Sequence, residues 1–230
     1  ATVTETTAAA LATIAETGHN LTLTLADASV AATAITTIDP LTDGTFTVSS
    51  TTVTGTAAEI IAAYALGTAG TVTGLGNEAV TLSDTTLSAA DLISVDALTT
   101  GLVTHTATTL TGTAADLVTI YASDAGESPT ITGSLNQAIT VTDSTISCTN
   151  AAAINALSTG VVTFVATTLT GNVADLTTIL NLSAAGTAIA GLGGANITMA
   201  ATGGALTAAN VNTIAAKTTG VITATVTETT

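Results

Sequence analysis

Two hydrophobic patterns alternate along this chain. In the first, Thr alternates with Val, Ile or Leu at a period of two, over residues 21–25, 45–48, 80–82, 102–106, 139–142, 161–165, 197–199 and 221–226. This is the pattern of short strands that bury one face. The β-branched residues that dominate these runs fit a pleated surface. In the second, a small polar residue precedes small residues, then an acid or Asn, then aliphatics three or four apart. Examples are Thr56-Ala-Ala-Glu59-Ile60, Ser88-Ala-Ala-Asp91-Leu92, Thr113-Ala-Ala-Asp116-Leu117, Asn172-Val-Ala-Asp175-Leu176 and Thr207-Ala-Ala-Asn210-Val211. Each predicts a helix whose first residue accepts a hydrogen bond from an unsatisfied backbone N–H. Thr56 and Glu59 have the spacing of a full capping box. Thr7 with Leu11 and Ile14, and Asn150 with Ile154 and Leu157, share the aliphatic spacing, and a further helix is expected over 32–38. All are short and depend on packing for stability.

The patterns recur together. Ser50-Thr-Thr-Val-Thr-Gly55, Ala107-Thr-Thr-Leu-Thr-Gly112 and Ala166-Thr-Thr-Leu-Thr-Gly171 are near copies, and a fourth start falls at Ala224. Gly44, Gly101, Gly160 and Gly220 keep step with them. So do Val72-Thr-Gly74, Ile131-Thr-Gly133 and Ile189-Ala-Gly191. Three markers at one period of close to sixty residues define a single repeat array over 1–230, with repeats at 1–49, 50–106, 107–165 and 166–230. Residues 1–7 and 224–230 are identical. The chain opens at Ala1 in mid-pattern, so it reads as a fragment or processed product that continues into further repeats or stacks on copies of itself. Strand–helix units repeated in this way predict an α/β solenoid, with the strands in one parallel sheet and the helices along one side. A doubly wound α/β domain and a pure β-solenoid are the alternatives.

Composition sharpens this picture. The chain is 47% hydrophobic but only 2% aromatic, with no Trp. Its core must therefore be thin and its backbones closely spaced. Sixteen acidic residues face one basic residue, Lys217, for a net charge of −15. That balance excludes nucleic acid and anionic membrane surfaces as partners, because both require Lys or Arg. Residues 176–216 carry no charge, yet Thr, Asn and Gly interrupt them too often for a membrane span. Cys148 stands alone, which excludes an intrachain disulfide and a Cys-based metal cage.

Reactive chemistry is sparse. His19 and His105 occupy non-equivalent places in different repeats, with no metal-binding spacing. Gly74-Leu-Gly76 and Gly191-Leu-Gly-Gly194 lack the rest of a dinucleotide or phosphate loop and read as turns. There is no Arg to clamp a carboxylate or phosphate, and no nucleophile elbow. No cofactor and no enzymatic activity are expected. The acids that come nearest to a calcium site are Asp84 and Asp143, which are repeat-equivalent, with Ala201 or Thr202 at the fourth position; Glu59, Asp116 and Asp175 form a second row. Calcium needs six to eight oxygens, usually from several carboxylates close in sequence, so helix caps and turns are the favoured roles. Thr-x-Thr pairs at 22/24, 45/47, 71/73, 130/132 and 140/142 suggest a hydroxyl–methyl lattice of ice-binding type. They do not all share one phase of the repeat, which favours ordinary solvent-facing strand positions.

The Thr109–Leu117 element Thr-Leu-Thr-Gly-Thr-Ala-Ala-Asp-Leu and the Ser158–Thr163 element Ser-Thr-Gly-Val-Val-Thr resemble repeat arrays of giant cell-surface proteins of marine cyanobacteria, among them the one associated with swimming. The resemblance implies an outer-surface location and a structural or motility-related role, and it transfers no functional residues. The expectation is a structural module of an elongated extracellular surface or filament protein: a spacer, adhesive stalk or polymer subunit. Its partners are copies of itself or flanking repeats, end to end. The alternative is a binding module for ice, calcium or glycan, using Thr-rich strand faces or the Asp rows.

Overall fold

The computed structural model describes residues 1–15, 17–126, 129–200 and 206–224. The expected strand over 221–226, the fourth-repeat positions Ala201 and Thr202, and the repeated residues 225–230 therefore lie wholly or partly outside the described residues. The chain forms two compact units, Ala1–Ala107 with Ala122–Gly133, and Thr108–Tyr121 with Ser134–Thr230.

The first unit contains α1 (Ala8–Leu11), β1 (Leu23–Leu25), β2 (Ser29–Ala31), α2 (Ala32–Ile38), β3 (Phe46–Val48), β4 (Thr52–Gly55), α3 (Ala57–Ala69), β5 (Val72–Thr73), β6 (Ala79–Leu82), β7 (Thr86–Ser88), α4 (Ala89–Asp96) and β8 (Val103–His105). In the second lie β9 (Thr109–Gly112) and the start of α5 (Ala114–Asp124); β10 (Ile131–Thr132) belongs to the first. The second continues with β11 (Ala138–Val141), β12 (Thr145–Ser147), α6 (Cys148–Asn155), β13 (Val162–Phe164), β14 (Thr168–Gly171), α7 (Val173–Ala185), β15 (Ile189–Ala190), β16 (Asn196–Met199), α8 (Ala208–Ala215) and β17 (Ile222–Thr223).

The solenoid of stacked strand–helix repeats is present, and the strand pairings are parallel. The single sheet is not. In the first unit the strands form two ladders, β1-β3-β5 and β2-β4-β6-β8-β10; in the second, β9-β11-β13-β15 and β12-β14-β16-β17. The difference arises because each turn contains more strand than the hydrophobic alternation reveals. Thr52–Gly55, Thr109–Gly112 and Thr168–Gly171 serve as repeat markers in the sequence, yet they are strands. Each buries one apolar side chain, Val53, Leu110 or Leu169. One inward residue is too little to register as a period of two.

The turns have three segments. The chain leaves β2, passes through α2 and β3, and returns as β4 beside β2. From β4 it passes through α3 and β5 to β6, and from β6 through β7 and α4 to β8. The helix comes first in two of these turns and second in the third. One 57-residue period thus holds one segment more than two whole turns, and the helix row steps round by one side. The same three-segment returns lead from β12 to β14 and from β14 to β16.

The core is mainly aliphatic. Its large members are aliphatic, such as Leu23, Leu25, Ile35, Ile60, Leu92 and Leu110, all fully buried. The chain has two Phe and two Tyr, and Phe46, Phe164, Tyr64 and Tyr121 are all buried. Small residues at the helix starts, including Ala57, Ala89 and Ala151, let the helices approach the strands closely. No helix among the described residues is long and apolar enough to cross a membrane.

Candidate functional site

Three repeating devices join one turn to the next. The first is a hydroxyl clip. Thr42 Oγ1 donates to Leu21 O at 2.7 Å, Thr99 Oγ1 to Glu78 O at 2.6 Å, Ser158 Oγ to Gln137 O at 2.6 Å and Thr218 Oγ1 to Ala195 O at 2.9 Å. Each hydroxyl also accepts the N–H of the glycine two residues on, Gly44, Gly101, Gly160 or Gly220, at 2.8–3.0 Å. These are the glycines that mark the repeat in the sequence. A Cβ on any of them would strike the carbonyl oxygen that the clip holds, so the position admits no side chain. Gly74, Gly133 and Gly191 have the same restriction against the carbonyls of Val48, His105 and Phe164, and φ values of +89°, +113° and +91° besides.

The second device uses the candidate calcium acids. Asp84 Oδ2 accepts the N–H of Ala57 at 2.8 Å and Asp143 Oδ2 that of Ala114 at 2.7 Å, the first residues of α3 and α5. A third member escaped the sequence reading: Asp27 Oδ2 accepts the Ala8 N–H at 2.6 Å. The signal was legible, because Leu25-Ala-Asp27, Leu82-Ser-Asp84 and Val141-Thr-Asp143 align, each acid two residues beyond an inward aliphatic. Each acid caps a helix one turn away in the stack and supplements the local cap. The local caps follow the expected pattern. Thr56 and Glu59 form a reciprocal capping box, and Ser88, Thr113, Asn172 and Thr207 accept from the third residue of their helices. Among the described residues, no three His, Cys, Asp or Glu side chains converge as a metal site would require.

The third device is a set of threonine columns. In the first unit Thr54, Thr81, Thr104 and Thr132 are register partners across four successive strands, and Thr24, Thr47 and Thr73 across three. In the second unit Thr111, Thr140 and Thr163 align, as do Ser147, Thr170, Thr198 and Thr223. Neighbouring hydroxyls meet at 3.0 Å for Thr47 and Thr73 and 3.2 Å for Thr104 and Thr132. Thr47 and Thr73, members of two of the Thr-x-Thr pairs, stand at different phases of the repeat, and in the sequence such a difference counted against a lattice. The three-segment turn removes that objection, because it seats strands of different phase side by side.

Two of the titratable groups singled out by type, His105 and Cys148, are packed as core. His105, 3% exposed, ends β8 opposite Leu82. Burial lowers its basicity, opposed by the charge of Asp124. The Cys148 thiol is buried and pushed up to about 12 by burial and then by Asp175, which leaves it protonated and unreactive at neutral pH. His19 is exposed, and its carbonyl receives Thr42 Oγ1 at 3.0 Å.

One side-chain cluster stands outside the repeating machinery, although the backbone carbonyl of its central residue, Glu78, belongs to a clip. Glu78 is 2% exposed. Its Oε2 accepts hydrogen bonds from the Tyr64 hydroxyl at 2.8 Å, the Gly76 N–H at 2.8 Å and the Asn77 N–H at 3.2 Å. Burial, then the hydrogen bond to Glu78 and its charge, hold the Tyr64 phenol well above its usual range, so it stays a donor. With Ser49, Ser50, Thr51, Gly74 and Asn77, Glu78 lines a pocket of about 340 Å³. The sequence reading passed over it because no motif spans Ser50, Tyr64 and Glu78. Comparison with protein-family models, with curated proteins and with solved structures yields no match.

Proposed function

We propose that this chain is a structural repeat module of an elongated extracellular surface or filament protein, serving as spacer, adhesive stalk or polymer subunit. The observation that carries the reading is what the repeats have in common. The features kept from repeat to repeat are the clip hydroxyls, the tight glycines and the carboxylate caps, all of which bind one turn to the next. Such machinery works equally well between flanking repeats or copies of the chain stacked end to end. The net charge of −15 keeps such a surface soluble and self-repelling except along its stacking edges. The sequence resemblance to giant cell-surface repeat arrays points the same way. The test is antibody labelling of cells that make the protein. Intact cells should label as strongly as permeabilised ones, with label standing off the envelope in electron micrographs. Label confined to permeabilised cells would refute the surface role.

The threonine columns support a second reading, a face that binds an ordered water surface. Parallel strands set the hydroxyls about 4.8 Å apart across the sheet, and alternate residues repeat about 6.6 Å along it. If this face binds ice, the protein should facet growing ice crystals, and Thr81→Tyr should abolish the faceting by breaking the column. Round, unshaped crystals in the presence of the wild-type chain would dispose of the reading.

A further inference from the structure

Glu78 and Ser50 break the repeat at the same point. The clip hydroxyls of Thr99, Ser158 and Thr218 identify Glu78, Gln137 and Ala195 as equivalent. The marker alignment makes Ser50 equivalent to Ala107 and Ala166, which are 2% and 5% exposed. The scaffold therefore folds with alanine at either place. Only in the second repeat do a hydroxyl and a carboxylate stand there together, both lining the pocket of about 340 Å³. Both are buried, at 7% and 2% exposure. Ser50 Oγ and Glu78 Oε1 are buried oxygens with no hydrogen-bond partner.

A buried carboxylate needs a counter-charge or a proton. The chain supplies no counter-charge: its one basic residue, Lys217, donates to Asn181 Oδ1 at 2.7 Å. A proton on Oε2 would compete with the three donors already there, and one on Oε1 would be a buried donor without an acceptor. The three hydrogen bonds onto Oε2 are the pattern of an acceptor-only, ionised group. The geometry points to a binding site for a compact monovalent cation, an alkali ion or the head of a primary ammonium, held in this pocket by the Glu78 carboxylate and the Ser50 hydroxyl oxygen. One carboxylate balances one positive charge, whereas a calcium site gathers six to eight oxygens and usually several carboxylates. The two oxygens are almost fully covered, which suits a small ion and excludes a bulky ligand. The high negative charge of the chain raises the local concentration of any such cation.

The test separates binding from screening. The melting temperature is measured at one fixed ionic strength in sodium, potassium, methylammonium and choline chloride. Screening is common to all four, and the quaternary nitrogen of choline, shielded by its carbon substituents and without an N–H, cannot come into contact with the two covered oxygens. The expected result is a melting temperature several degrees higher in at least one of the three compact cations than in choline, saturating as its share rises. Glu78→Gln should erase the difference, and Asp91→Asn, at an exposed acid, should keep it. Equal melting in all four salts, a difference that survives in Glu78→Gln, or stabilisation by Ca²⁺ alone would each overturn the site. Should Glu78→Gln fail to fold, sodium-23 line widths of the wild-type chain decide. Broadening reversed by potassium or methylammonium but not by choline supports the site, and broadening that choline reverses equally overturns it.

Discussion

Gly101→Ala is expected to destabilise the fold by about 3 kcal/mol, the upper part of the range for overpacking substitutions. The cause is purely steric. Gly101 has no left-handed backbone requirement, so alanine is conformationally acceptable there. Its Cβ, however, would meet Glu78 O, Glu78 C and Ala79 N. All three are backbone atoms of the preceding turn, and none can swing aside as a side chain can. Relief requires the two turns to separate, which stretches the Thr99–Glu78 clip of 2.6 Å and the adjoining ladder bonds, such as Val80 N to Leu102 O at 2.9 Å. Gly193→Ala is the control. No atom lies within 4 Å of a Cβ there and no positive φ is needed, so its effect should stay within about 0.5 kcal/mol. Urea unfolding of both variants beside the wild-type chain checks the pair. If Gly101→Ala proves as harmless as Gly193→Ala, the turns are not held at the spacing described.

The other large effect is expected from Phe46→Ala, a loss of about 3–5 kcal/mol. Phe46 is fully buried between its ladder partners Leu23 and Val72. In a core built mainly from Ala, Val, Ile and Leu, a ring is the largest single filler of space. Its removal opens a cavity beneath strands of three and two residues, which are fixed by the tight glycines and cannot collapse inward. Phe46→Leu should cost distinctly less, because most of the volume is restored. Thermal unfolding of the two variants measures the difference. A Phe46→Ala chain as stable as Phe46→Leu would mean that the site relaxes freely and that packing there is loose.

Much of this was legible in the chain itself. The alternation Leu23-Thr24-Leu25 or Val103-Thr104-His105 states which face of a strand turns inward, because side chains alternate across a pleat. The caps at Thr56, Ser88, Asn172 and Thr207 were readable for the same local reason: a cap and the backbone N–H that donates to it lie three residues apart. The tight glycines announced themselves by their period, although the carbonyls that exclude a side chain lie 23–28 residues earlier. Asp27 could have joined Asp84 and Asp143 by alignment alone.

Local pattern does not encode which strand lies beside which. That depends on how many segments complete a turn, and the count follows from strands of two to four residues that bury a single side chain each, such as Val53, Leu110 and Leu169. These are too short for any period to show. The tertiary structure alone therefore decided that β4 pairs with β6, that four ladders form in place of one sheet, and that threonines of different phase align in columns. It also decided that Ser50 and Glu78 share a pocket. Parallel neighbours in a solenoid are a full turn apart along the chain, and their pairing is set by closure of the whole turn. Face, cap and corner are local properties written residue by residue, whereas neighbourhood is a property of the closed turn.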